Sequence, residues 1–494
     1  MRKRSQYHPL YSPALCFPVS GFTVRHYRSS IMAALAILWV VLPWRLQAHY
    51  TPTDSAQTTA AGKRAESIKM AEPQSDCAKH VSQWLKDRWH IPLTENNRIV
   101  VFRTGQEKFD DLFAAVAQAK ETIHMEYFNF RNDSISMALF SLLAERVKAG
   151  VKVRILFDGF GNSSNNRPLH ERHLRLLREE GIEIYEFDPL RFPWVDKAMH
   201  RDHRKIVVID GCVAYTGGMN VADYYIHGKE EFGEWRDIHA RVEGDAVAEL
   251  QGIFVRFWNE VTGQDLGGPD LYPGEARPDT LFKNVRPDLD PTAGRKCLAV
   301  VNRDPGMESN VIHDTFLEII NSAQHRLLII NPYFTLCGHI RRALNKAVKR
   351  GVDVQIMVSE KSDIPVTPNI VEYNTWKLAK KGAKVWVFQG GFHHSKIMMA
   401  DDCCAFIGSA NLNSRSLSFD YECNVFAADS ATTAHLTDIF EQDKATRCYR
   451  LTPERRKALP PFRRFKGWLF HFLSPLVQQE HDNTNIHSNF IEHA

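Results

Sequence analysis

Two stretches of this chain carry the same spaced set of side chains. His203, Lys205, Asp210 and Gly217-Gly218-Met219-Asn220 recur as His394, Lys396, Asp401 and Gly408-Ser409-Ala410-Asn411, with seventeen residues from His to Asn each time. The repetition reaches further. Lys148-Ala149-Gly150-Val151-Lys152-Val153 matches Lys349-Arg350-Gly351-Val352-Asp353-Val354, Glu180 to Ile184 matches Lys381 to Val385, and Tyr127-Phe128 matches Tyr333-Phe334. A period of this size means two fused domains rather than a solenoid. The Gly-Val segments are offset by 201 positions and the His segments by 191, so the first half holds ten extra residues, which 188–198 supplies. Between the matched segments, β-type runs alternate with helical ones, the pattern of an α/β fold. Val151–Asp158, Ile182–Phe187 and Lys205–Ile209 read as strands; Ser134–Ala149 and Arg167–Glu180 read as helices.

The duplication organises the rest of the chain. The expected units are a first domain over 76–266, a linker over 267–296 with five Pro and four Gly between 267 and 294, and a second domain over 297–450. Residues 1–75 precede them. Ile31 to Trp44 is an apolar run of fourteen, short of the ~20 residues a full span needs. It reads as an uncleaved membrane anchor rather than a removed signal, because Leu46-Gln47-Ala48 makes a poor cleavage site; translation starting at Met32 is an alternative. Residues 49–75 read as a flexible tether. In the tail, 451–494, Phe462, Phe465, Leu469, Phe472, Leu473 and Leu476 fall at helical spacing among Arg463, Arg464, Lys466 and Trp468. That is a basic amphipathic segment suited to an anionic membrane surface or to packing on the domain, with Pro475 limiting its helix to about three turns.

The net charge of +4 is too small to indicate a nucleic-acid partner. Nine Cys, scattered singly apart from Cys403-Cys404 and without a metal-type spacing, read as buried free thiols.

Residues two apart on a strand share a face. His203 projects with Lys205, and His394 with Lys396. Each G[GS]xN turn uses small residues for close backbone approach and delivers an Asn, Asn220 or Asn411, to that face. Brought together, the halves surround one point with two His, two Lys and two Asn, a set suited to a phosphodiester. The Lys neutralise its oxygens, the Asn amides bind them, one His attacks phosphorus, and the other serves as general acid and base. Asp210 and Asp401 are counted with this catalytic set. Each His needs a partner to fix its tautomer. Glu422 is the candidate for His394 and Asp237 for His203. His393, adjacent to His394, should point the opposite way. The chemistry calls for no metal or cofactor.

The paired HxKxxxxD motifs resemble the phospholipase D superfamily. Glu126-Tyr127-Phe128, Phe157-Asp158-Gly159-Phe160-Gly161, the HRKIVVIDG block at 203–211, Trp235-Arg236-Asp237, Asn331-Pro332-Tyr333-Phe334 and the GSANLNSRS block at 408–416 are similar to bacterial cardiolipin synthases, over about residues 95–477. The resemblance implies two fused phospholipase D-type domains, mixed α/β sheets flanked by helices with pseudo-two-fold symmetry. It also implies phosphatidyl transfer between two phosphatidylglycerol molecules through a phosphohistidine, giving cardiolipin and glycerol at the bacterial inner membrane. Family tendency makes His203 the nucleophile and His394 the acid/base. The chain departs from the family at its start, where two transmembrane helices are usual. The positive residues Arg2, Lys3, Arg4, Arg25 and Arg28 ahead of the single run would hold the N-terminus in the cytoplasm and put the body outside, whereas the family implies a body at the cytoplasmic face. The competing activities are a phospholipase D-type hydrolase, a nuclease of the same superfamily, and an inactive lipid-binding scaffold.

Overall fold

The computed structural model describes residues 76–189, 200–268, 271–272, 295–307 and 310–477. The apolar run, the tether, most of the Pro-rich linker and all but the first two residues of the 188–198 insertion lie outside the described residues. The first lobe contributes β1 (Thr94–Phe102), β2 (Thr122–Tyr127), β3 (Lys152–Asp158), β4 (Glu183–Phe187), β5 (Lys205–Ile209), β6 (Val213–Gly217), β7 (Glu234–Arg236) and β8 (His239–Glu243). The second contributes β9 (Lys296–Arg303), β10 (Arg326–Ile330), β11 (Asp353–Ser359), β12 (Lys384–Phe388), β13 (Gly391–His393), β14 (Ile397–Ala400), β15 (Cys404–Gly408), β16 (Glu422–Ala428) and β17 (Cys448–Arg450).

Fifteen of these strands form one sheet in the order β17-β12-β11-β10-β14-β15-β16-β9-β1-β8-β6-β5-β2-β3-β4. Apart from β17, each half is the other's reverse, so the duplicated mixed sheets of two phospholipase D-like domains lie edge to edge. Register corrects one sequence match. Glu126 lies opposite Ile206, and Ile330 opposite Ile397. Tyr127 is therefore the counterpart of Asn331, and the two Tyr-Phe pairs are out of step by two residues. Both strands end in an apolar run followed by aromatics, and that likeness suggested the wrong register.

The alternation along β5 shows how the sequence builds the layers. Ile206 and Val208 join a core shared by both lobes, with Ile253 on the helix Ala246–Thr262 and Ile439 and Phe440 on the helix Ser430–Arg447. Val207 and Ile209 face the other way into a core built mainly from the first lobe, to which the second lobe adds Phe392. All four are fully buried, each stabilising the fold by about 1.5–3 kcal/mol on an area basis. A strand apolar on both faces occurs only in the middle of a covered sheet.

Two helices depart from the sequence reading. The one predicted from Arg167 starts at Glu171, because Pro168 keeps the chain extended while the Asn162 amide ties down Leu169 N and O. The tail helix spans Pro461–Val477, running through Pro475 and past three turns. Among the described residues no helix is long and apolar enough to cross a membrane.

The edge pairing of β1 with β9 is short and irregular. The lobes are joined more firmly where chain segments run side by side. Asp202 bridges Tyr421 in parallel, and β7 pairs with β13 in parallel. Arg204, paired within its own lobe with Glu126 at 3.2 Å, crosses the seam to donate to Arg303 O at 3.3 Å with its guanidinium over the Tyr421 ring, and Arg201, paired with Asp158 at 3.7 Å, donates its backbone N–H across it to Asp420. These ions are buried, so their pairing is required to offset desolvation.

Candidate active site

Each HxK segment begins where the chain leaves one of these parallel contacts. His203 N donates to Tyr421 O at 3.0 Å, and His394 N to Arg236 O at 2.6 Å. The next residue along the partner segment is Glu422 in one case and Asp237 in the other. The pairing predicted from sequence is therefore exchanged. His203 Nδ1 lies 3.0 and 3.1 Å from the two oxygens of Glu422, and His394 Nδ1 lies 2.7 Å from Asp237 Oδ2. Each lobe orients the other lobe's histidine. An Nδ1–H donated to a carboxylate leaves the Nε2 lone pair free on both rings.

The lysines follow the strand rule. Lys205 Nζ donates to His203 O at 2.5 Å. Lys396 Nζ donates to His394 O, lies 2.8 Å from His394 Nδ1 and 3.9 Å from Asp237. Both ammoniums are buried beside the imidazoles.

The glycine-rich turns have a specific reason for their composition. A Cβ on Gly218 would stand 2.2 Å from Asp237 Oδ1, and one on Gly408 would stand 2.2 Å from Asn424 Oδ1. At the position matching Gly218, Ser409 donates its hydroxyl to Glu422. The longer Glu leaves space for that hydroxyl. His239 and Asn424, equivalent on β8 and β16, accept the backbone N–H of Met219 and Ala410 and hold the turns. Asn220 and Asn411 are buried, each with one 3.5 Å contact from its Nδ2, to Tyr225 and Ser416 respectively. Their Oδ1 atoms have no partner among the described residues. Beneath Asn220 lies Lys108, fully buried, with its Nζ 3.4 Å from Asn220 O and over the Phe109 ring.

Asp210 and Asp401 stand apart from this chemistry, which corrects their place in the catalytic set. Asp210 accepts the backbone N–H groups of Lys120, Glu121 and Thr122 at 2.7–2.9 Å. Asp401 accepts those of Gln324, His325 and Arg326 over the same range. Each sits at the far end of a strand from its HxK, about 17 Å from the lysine at ~3.3 Å per residue. Both backbones are left-handed, at φ 50° and 49°. They are turn carboxylates that fix the start of β2 and β10.

Burial sets the charges. It pulls His203 down to about 4, against the opposing pull of Glu422. It also takes His394 well below the usual imidazole range, helped by Lys396. Burial lowers Lys205 to about 7 and Lys396 to about 8, each opposed by a carboxylate. Asp237 is raised to about 6 by burial. Burial alone would raise Glu422 as well, but His203, Lys205 and the Ser409 hydroxyl outweigh it and hold the carboxyl low. At neutral pH the site holds two neutral imidazoles and up to two ammoniums, ready for an anion.

Rings from three of the quoted motifs, together with Phe392, which no motif singled out, enclose the imidazoles. Phe128 meets His203 edge-on at 5.1 Å, and Tyr333, Trp235 and Phe392 surround His394 at 5.4–5.7 Å. Tyr333 OH donates to Asp363 at 2.6 Å. His393 turns away, with its Nε2 3.3 Å from Asp443. The thiols are less scattered than the sequence suggests. Cys77, Cys403 and Cys404 are buried with their sulfurs within 4.8 Å of one another, at the end of β14 and β15 remote from the histidines. With Cys77 and Cys403 326 positions apart, spacing carried no signal of this.

A family model described as "Cardiolipin synthase, PLD-like domain" matches residues 112–258 and 316–444. A cardiolipin synthase of Oceanobacillus iheyensis is 33% identical over 78% of this chain and 76% of its own length. One of Staphylococcus aureus is 34% identical over 78% and 74%. A probable cardiolipin synthase of Bacillus subtilis is 33% identical over 72% and 67%. Among solved structures, the phosphatidylserine synthase of Haemophilus influenzae superposes with a TM-score of 0.59 at 15% identity, covering 81% of this chain and 99% of its own, which speaks to the fold alone.

Proposed function

The chain belongs to the cardiolipin synthase family of phospholipase D-like enzymes and is an enzyme of the phosphatidyltransferase type; from that premise we propose that it joins two phosphatidylglycerol molecules into cardiolipin and glycerol through a phosphatidyl-histidine. His203 Nε2 attacks the phosphorus of the first lipid. The P–O bond to glycerol breaks, and the alcohol leaves with a proton from His394. Both lysines and the two Asn amides bind the non-bridging oxygens, where charge is highest in the transition state. His394 needs a proton at that moment. The phosphodiester anion between Lys205 and Lys396 offsets the ammoniums that depress its basicity, and Asp237 holds the imidazolium. In the second half the now neutral His394 takes the proton of a headgroup hydroxyl on the second lipid. That oxygen attacks phosphorus, and the P–N bond to His203 breaks.

The observation that carries this reading is the exchange of carboxylates. Because each lobe orients the other's histidine, both rings are drawn to one seam with two ammoniums beside them. The tail supplies a reason for a lipid rather than water as acceptor. On the helix Pro461–Val477, Gly467 packs within 2.7 Å (from a Cβ) of Asn369 O, and Arg463 meets Glu372 at 3.4 Å. Phe462, Phe465 and Trp468 remain 66, 51 and 46% exposed. We assign this face, with Arg464 and Lys466, to an anionic bilayer surface that holds the seam where lipid is concentrated.

The test uses the full chain and labelled phosphatidylglycerol alone. Wild type should release glycerol and form cardiolipin, and His203→Ala and His394→Ala should lose both products. After an alkaline quench, an acid-labile label on phosphorus should be found on the peptide containing His203. Phosphatidic acid as the only lipid product would establish a hydrolase instead, and label on the His394 peptide would reverse the two roles.

A further inference from the structure

Transfer to a second phosphatidylglycerol brings a second phosphodiester to the site, and the groups around His203 and His394 are sufficient for only one. The rim on the His394 side is built from two loops, 228–233 in the first lobe and 360–364 in the second, tied by Lys361 Nζ donating to Glu231 O at 3.2 Å. Lys229 projects from the first of them. Its ammonium lies 4.4 Å from the centre of the Tyr224 ring and 4.6 Å from that of Trp235, with Phe232 at 5.8 Å. Trp235 is also a neighbour of His394, at 5.6 Å between ring centres, so one indole separates this cation from the acid/base histidine.

What distinguishes Lys229 is that no anion is hydrogen-bonded to its ammonium. Among the described residues, no carboxylate or other acceptor lies within hydrogen-bonding distance of its Nζ. The carboxylates of Asp363 and Glu231 are near enough to act on it electrostatically, but Asp363 is occupied by Tyr333 OH and the Ser362 hydroxyl, at 2.6 and 3.2 Å. The neighbouring cation Arg131, 5.8 Å from the centre of the same Tyr224 ring, is already committed to Asp133 at 3.6 Å and to Asn166. A half-buried ammonium costs desolvation energy that ring faces only partly return. Aromatic walls hold it in place and leave its donors free.

We propose that Lys229 binds the phosphodiester of the acceptor lipid, forming with the Tyr224 and Trp235 rings a second anion subsite at the mouth of the pocket. The proposal rests on the transfer reading above and deepens it. The acceptor's attacking hydroxyl must reach His394. Its own phosphorus lies roughly 6 Å from that oxygen through a three-carbon headgroup at ordinary bond lengths, toward the rim on the same side. Water and free glycerol have no phosphate, so the subsite favours a lipid acceptor over both without touching the reacting atoms.

The experiment measures acceptor preference. The full chain is given phosphatidyl-p-nitrophenol as donor, with phosphatidylglycerol and free glycerol competing as acceptors. Lys229→Gln should lower the preference for phosphatidylglycerol over glycerol about tenfold, as expected for loss of one charge-assisted contact, through a higher KM for the lipid acceptor. Lys229→Arg should restore most of it. An unchanged preference in Lys229→Gln overturns the subsite. So does a fall with both acceptors alike that Lys229→Arg fails to rescue, which marks a structural role. Wild type decides the underlying reading separately: if it makes no cardiolipin, transfer itself fails. If it does and Lys229→Gln keeps its preference, only the subsite fails.

Discussion

Replacing Glu422 by glutamine preserves its size and removes the charge that faces His203. The lost interaction is a hydrogen bond from Nδ1 to a fully buried carboxylate at 3.0 Å, worth about 1.5–3 kcal/mol for a charged partner. At 1.36 kcal/mol per decade, the step in which His203 takes on positive character should slow by about 10- to 150-fold. Asp237→Asn removes the equivalent bond at His394 and should impair proton delivery instead. The two can be separated by the leaving group. p-Nitrophenol departs without a proton, so the pre-steady-state burst from phosphatidyl-p-nitrophenol reports nucleophilic attack alone. Glu422→Gln should slow that burst by the factor above, and Asp237→Asn should leave it within a fewfold while slowing glycerol release from phosphatidylglycerol. The reasoning is refuted if Asp237→Asn slows the nitrophenol burst as strongly as Glu422→Gln, since a first-lobe carboxylate would then be serving the first-lobe histidine.

Three further outcomes follow from the same geometry. Asp401→Asn loses the charge that gathers three backbone N–H groups and should cost about 2 kcal/mol of stability; a lowered denaturation midpoint with near wild-type kcat in the folded fraction checks this, and a collapse of kcat alone would return Asp401 to the chemistry. The pH profile of kcat/KM should be bell-shaped. It rises through about 4 as His203 loses its proton and falls through about 7 to 8 as Lys205 and Lys396 lose theirs, and an alkaline limb unchanged in Lys205→Arg would contradict the assignment. Gly218→Ala drives a methyl to 2.2 Å from Asp237 Oδ1 and should cost more than tenfold in turnover, whereas Ser409→Gly, which copies the sister lobe, should cost less; equal losses in steady-state assays would count against the packing argument.

The duplicated fold was readable because duplication leaves two records of one pattern. His203 with Lys205, and His394 with Lys396, could be assigned to shared faces because strand periodicity is two. Membership of the motif did not settle the role of Asp210 and Asp401. The strand between HxK and Asp spends its length crossing the sheet, and the turn signal in Asp210-Gly211, not used in the sequence reading, is the trace of a structural carboxylate. The exchanged pairing of Glu422 and Asp237 left no such trace. Each carboxylate follows its own lobe's G[GS]xN turn, so sequence distance favours the own-lobe histidine, 34 positions away for Asp237 and 28 for Glu422, over the true partners 157 and 219 away. What decides between them is which chain segments lie side by side: 202–203 against 421, and 391–394 against 234–236. Lys229 was hidden for a related reason. Its aromatic neighbours Tyr224, Phe232 and Trp235 are close in sequence, but its relation to His394 exists only across the seam. A pocket assembled from two lobes therefore discloses its residue types in the sequence and its partnerships only in the fold. Any residue whose partner lies in the other lobe has to be tested by a change in one lobe read out at the histidine of the other.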